Sequence, residues 1–142
     1  MGTWGIEPFN NDAALDWEAD LLRTVDSGLL RSTLELIASG AGFLIGSEGE
    51  VGIAAIATFV SIATANSEMV TDEIADWIKD RHPRIEPGDQ DLARRAAARV
   101  LGPESDLPAL WAENEKEGAR WREIAEELQR VVDEDWDSRP AR

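Results

Sequence analysis

Cysteine is absent from these 142 residues. That excludes disulfides, thiolate zinc sites and cysteine nucleophiles together, and it fits a reducing, cytoplasmic setting. Positive charge is scarce. Fourteen lysines and arginines stand against twenty-nine aspartates and glutamates, a net charge of −15, and Lys79 and Lys116 are the only lysines. Nucleic-acid phosphates and anionic membranes repel such a molecule at long range, so neither is an expected partner. A basic protein is. Histidine occurs once, as His82, which excludes a multi-histidine metal site; Lys79 stands three residues before it, where a ferritin-like pair would need glutamate.

Long apolar runs are missing too. The main apolar stretch, Val51 to Ala65 (VGIAAIATFVSIATA), is too short to span a bilayer, which takes about 20 residues. It reads as a helix buried on most sides. The start shows no basic segment leading into an apolar one, so no secretory leader is expected. No P-loop, dinucleotide fingerprint or nucleophile elbow occurs, and no cofactor is expected. There is no repeat, low-complexity tract or long linker. Met1 to Asn66 carries nine acids and two bases and the remainder twenty and twelve, so charge marks no boundary. One domain over residues 1–142 is expected.

What is present is helical periodicity. Asn10 is the expected N-cap of a first helix, with Ala14, Trp17, Leu21 and Val25 as its apolar stripe. A second helix is expected from Leu29 to about Ser39. The third is the apolar run, approached through Ser47, Glu48 and Glu50. The fourth, Val70 to Arg81, places Val70, Ile74, Trp77 and Ile78 on one face before Pro83. The fifth runs from Asp89 to Leu101. Ser105 caps a short sixth carrying Leu107, Leu110 and Trp111. The seventh, Ala119 to about Trp136, buries Trp121, Ile124, Leu128, Val131 and Val132. Strand signals are poor; Ile6 or Phe43-Leu44-Ile45 suits a short extended piece. The fold class is therefore all-α, a single-domain bundle of about six to seven helices. A non-helical arm precedes them, with Phe9 at N′ and Ala14 at N4 forming a staple and Trp4 plugged into the bundle. An exposed aromatic patch for a partner is the alternative for that arm; packing is favoured because large aromatics are mostly core.

The arm, WG-x-x-PF-x-ND-x-A-x-D-W from Trp4 to Trp17, resembles an uncharacterised bacterial family, domain-of-unknown-function family 4259. The stretch LARRAAARVLGPESDLPALW from Leu92 to Trp111, the Trp-led helix at Trp121 and the alanine-rich helix at Ile53 to Ala65 add to the likeness. The resemblance covers nearly the whole chain. It implies a small soluble bacterial domain and supplies no catalytic residues.

Candidate chemistry lies in the carboxylates. Glu73-Ile-Ala-Asp76 and Glu123-Ile-Ala-Glu126 are similar, in reversed order, to the pairs with which all-α nucleotide pyrophosphohydrolases hold magnesium. A helical wheel at about 100° per residue turns both pairs away from their apolar stripes. They are expected to face water, so no metal-ligating residue is assigned and catalytic residues stay unknown. Asp12, Asp16 and Asp20 form one aspartate stripe and Asp72, Asp76 and Asp80 another; Asp16 neighbours Trp17 in sequence but points elsewhere on the wheel. Glu48 and Glu50 supply charge at a helix N-terminus, or pair with Arg31, Arg95 or Arg99. His82 suits a helix C-terminus. Arg94, Arg95 and Arg99, with Arg81 and Arg84, are the only basic cluster; intramolecular pairing is favoured over an anionic metabolite.

The leading functional reading is a non-enzymatic, acidic, cytoplasmic interaction domain for a basic protein partner, in one version immunity- or antitoxin-like. The alternative is a small metal-dependent hydrolase or metabolite-binding helical protein. Nothing in the sequence specifies oligomeric state.

Overall fold

The structure, a computed structural model, describes residues 5–134. Among them are seven helices: α1 (Asp12–Leu21), α2 (Gly28–Ser39), α3 (Gly46–Thr64), α4 (Asp72–Arg81), α5 (Asp89–Val100), α6 (Leu107–Ala112) and α7 (Glu115–Asp133), and no strand. The fold is an all-α bundle organised around α3, which touches each of the other six helices. That placement follows from composition. No charged residue interrupts α3 after Glu50, and Ile53 to Ser61 are buried on every side. A helix apolar all round must be wrapped by neighbours. Small residues let them close in: a Cβ on Gly52 would stand 2.9 Å from Val100 Cγ2, and α5 presents Ala93, Ala96 and Ala97 to the core.

The helix ends differ from expectation where local side chains compete for the backbone. Asn11, not Asn10, caps α1: its Oδ1 accepts the Ala14 amide at 2.7 Å while its Nδ2 donates to the Pro8 carbonyl at 3.3 Å. Ala14 is therefore N3, and the staple geometry does not apply. Residues 5–10 are nonetheless non-helical, with Pro8 and Phe9 buried. Trp4 lies outside the described residues. At its other end α1 stops at Leu21 and Val25 is 63 % exposed, contrary to the stripe. Thr24 Oγ1 donates to the Leu21 carbonyl and the Gly28 amide donates to Asp26, so the chain turns before Val25. The Trp77 indole donates to the Thr24 carbonyl at 2.9 Å and ties α4 to this turn.

Val70 precedes α4, whose cap is Thr71, accepting the Ile74 amide and donating to the Glu18 carboxylate of α1. His82 ends α4 as its C-cap in left-handed backbone (φ 49°), with its amide on the Ile78 carbonyl. Leu44 does adopt an extended, inward position, in a parallel bridge with Ser105. Ser105 consequently does not cap α6: Asp106 holds the cap position, and the buried Ser105 hydroxyl has no hydrogen-bond partner. Asn114 starts α7 at Glu115, earlier than Ala119, by accepting the Glu117 amide. Trp121 and Leu128 are buried as expected, Ala125 is buried more deeply than Ile124, and Trp136 lies outside the described residues. Gly118 is required at the α6–α7 joint, where a Cβ would overlap the Trp111 carbonyl oxygen at 2.1 Å; Trp111 and Trp121 stack there with ring centroids 5.8 Å apart.

Candidate functional site

The N-terminal three helices leave a shallow groove of about 510 Å³ between them. Its floor is Trp17 of α1, Ile37 of α2 and Val51 of α3. Amphipathic spacing buries Trp17 against α2, and the indole is then fixed by hydrogen bonding. Its Nε1–H donates to Thr33 Oγ1 at 3.0 Å, and that hydroxyl donates to the Leu29 carbonyl at 2.8 Å. Leu36, one residue before the floor position Ile37, stands on the rim and is 74 % exposed.

The charged residues lining this groove are Asp16, Asp20 and Glu48, and none is a cation. The wheel separates Asp16 from Trp17, but the structure puts both in one groove. Trp17 and Asp20 are i,i+3 neighbours, and Asp16 and Asp20 are one turn apart, so the carboxylates border the indole. Asp20 meets Arg23 at 3.5 Å on the open surface, an arrangement worth little. Glu48 accepts the Ile45 amide at 3.0 Å, the N-terminal role expected of it. The second stripe, Asp72, Asp76 and Asp80, is exposed on α4.

Elsewhere several arginines are held by intramolecular partners. Arg31, a candidate partner for Glu48 or Glu50, instead holds Asp89 in a two-pronged pair, Nε to Oδ1 at 2.8 Å and Nη2 to Oδ2 at 2.9 Å. Asp89 also accepts the Glu86 amide at 2.7 Å, and Ser27 Oγ donates to the Arg84 carbonyl while accepting from Arg31. Burial pushes the Asp89 pKa up. The hydrogen bonds from Arg31 and the Glu86 amide, with the charge of Arg31, outweigh it and hold the carboxyl below its usual range. The hydrogen bond to Asp89 raises Arg31 in turn. Around this pair lies a depression where Arg81, His82 and Arg84 face Asp26 and Glu86, so opposite charges mix. Arg94 and Arg95 pair with Asp91, and Arg94 also with Asp133. Arg99 donates to the Ile37 and Gly42 carbonyls at the end of α2. Arg94, Arg95 and Arg99 are thus held in separate intramolecular contacts, while Arg81 and Arg84 line the depression beside Arg31.

Glu73, Asp76, Glu123 and Glu126 are exposed, as the wheel requires, and Glu126 meets Arg122 at 3.4 Å. Among the described residues no three or more His, Asp or Glu side chains stand together so as to hold a metal ion, and no helix is long and apolar enough to cross a membrane.

The chain matches the family described as Domain of unknown function (DUF4259) over residues 2–124, and it belongs to that family. No curated protein and no solved structure matches it.

Proposed function

We propose that this member of the DUF4259 family is a non-enzymatic, cytoplasmic protein-interaction domain that holds a basic protein partner in the α1–α2–α3 groove. One observation carries the reading: an apolar floor with a prominent exposed leucine, bordered by carboxylates and no cation. An apolar floor gives a partner something to bury. The carboxylate border selects a cationic partner and rejects an acidic one. The net charge of −15 steers that partner from a distance. A narrower form of the reading is an immunity- or antitoxin-like bacterial protein that masks a basic toxin, which its size and charge support.

Affinity capture from native cytosol tests this, with the parent and with the combined variant Asp16→Asn, Asp20→Asn, Glu48→Gln. The expected result is a basic protein retained by the parent, released by added salt and retained less by the variant. A retained partner that is acidic, or whose binding ignores ionic strength, sinks the reading.

A further inference from the structure

We infer that the docking track continues beyond the groove, past the N-terminus of α3 to Leu110 of α6, and that its occupant is a basic amphipathic α-helix of the partner. This rests on the interaction reading above and specifies its ligand. The observation is a clustering. Among the described residues the exposed large hydrophobics are Val25, Leu36, Phe43, Ile45 and Leu110. Leu36 lies on the groove rim, Phe43 and Ile45 on the connection from α2 to α3, and Leu110 on α6.

The links between them are atomic. Glu48 lines the groove and also accepts the Ile45 amide, so the groove ends where Ile45, 53 % exposed, begins. Phe43 and Ile45 flank the inward Leu44 and so share one face of an extended segment. At the next residue, a Cβ on Gly46 would stand 2.8 Å from Leu110 Cδ1 and 3.8 Å from an Asp106 carboxylate oxygen. Leu36 at the groove, Ile45 where Glu48 ends it and Leu110 beside Gly46 thus follow in sequence from α2 to α6, with Asp16, Asp20 and Glu48 at the groove and Asp106 beside Gly46.

The occupant follows from that pattern. Leu44 spends its amide on the Glu104 carbonyl and its carbonyl on the Asp106 amide, and Ile45 spends its amide on Glu48 and its carbonyl on the Gly49 amide, so residues 44–45 offer no edge to an added strand. A helix with one apolar stripe and cations on its flanks matches an apolar track bordered by carboxylates. Asp16 and Asp20 are about 6 Å apart along their axis, one turn, the spacing at which a helix repeats its own flanking residues. A second copy of this chain brings another −15 of charge and is disfavoured by repulsion.

The test uses the full chain and two amidated 18-residue leucine–lysine–alanine peptides of one composition. One carries its leucines as a helical stripe; the other has them scattered. Calorimetry, circular dichroism and sedimentation are the readouts. The striped peptide is expected to bind at least about tenfold more tightly and to gain helicity on binding. Leu36→Glu and Leu110→Glu are each expected to weaken it about tenfold. Each adds a carboxylate that by charge alone would tighten a basic peptide, so the loss reports apolar contact. Thermal midpoints of both variants check that they fold. Equal affinity for the two peptides overturns the helix inference and leaves the acidic-surface reading standing. Sensitivity to Leu36→Glu but not to Leu110→Glu overturns the extended track and leaves the groove. A dimer that Leu36→Glu dissociates assigns the track to a second copy and overturns the inference. No binding of either peptide overturns it together with the interaction reading.

Discussion

The Arg31–Asp89 junction and the α1–α2–α3 groove both set charge beside half-buried structure, and they treat it in opposite ways. At the junction each charged group meets a partner: two guanidinium contacts, one backbone amide and one serine hydroxyl close the network. In the groove three carboxylates line an apolar floor without a cation among the lining residues. Internal pairing makes the first region a staple between α2 and the turn before α5. In the groove Asp20 meets Arg23 only on the open surface and Glu48 is engaged by the Ile45 amide, so no buried cation among the lining residues neutralises the border. A net charge alone would not distinguish these two uses of acid.

The sharpest way to break the comparison is to remove Arg31. Arg31→Ala leaves the buried Asp89 carboxylate without its cation and is expected to cost about 3 kcal/mol, read as a shift of the urea midpoint at constant slope. The junction should also show in acid. Because the folded Asp89 pKa is lowered, the pair stabilises fully above the unfolded carboxylate value of about 3.9. It loses that stabilisation as pH falls through the lower folded value. Asp89→Asn should be less stable at neutral pH and should lack this increment of acid loss, as a pH series of denaturation curves would show. In the groove the expected stability effects are small. Leu36→Glu should stay within about 0.5 kcal/mol of the parent, since the side chain already lies in water. Asp16→Asn should stabilise by a few tenths of a kcal/mol, by relieving repulsion from Asp12 and Asp20. If Asp16→Asn destabilised instead, the carboxylate would be serving the fold, and the contrast between the regions would disappear.

The bundle and its core were largely legible in the sequence, because they rest on local periodicity. Trp17, Ile74, Trp77, Trp121 and Leu128 were placed inward from spacing alone and are buried. The ends were less legible, because neighbouring polar residues compete for the same backbone amides. Asn10 and Asn11 both suit a cap, and the bonds of Asn11 to the Ala14 amide and the Pro8 carbonyl decide between them. The Arg31–Asp89 pair was illegible: its members are 58 residues apart and carry no local signal of each other. The groove was half legible. The Asp12–Asp16–Asp20 stripe could be seen, but a wheel for one helix does not show the neighbouring helix that turns Asp16 and Asp20 into a border. The exposure of Leu36 could be suspected only once Leu34 and Ile37 were known to face inward.

The uncharged, buried middle of α3 has a consequence in time. Its amides from Ile53 to Val60 are shielded by helices from every part of the chain. No local opening of one neighbour exposes them to water, so their hydrogens are expected to exchange with deuterium only when the whole molecule opens. The slowest-exchanging amides of the protein should therefore lie in α3 and share a single opening free energy equal to the global one, whereas those of the six-residue α6 should exchange through smaller, local openings.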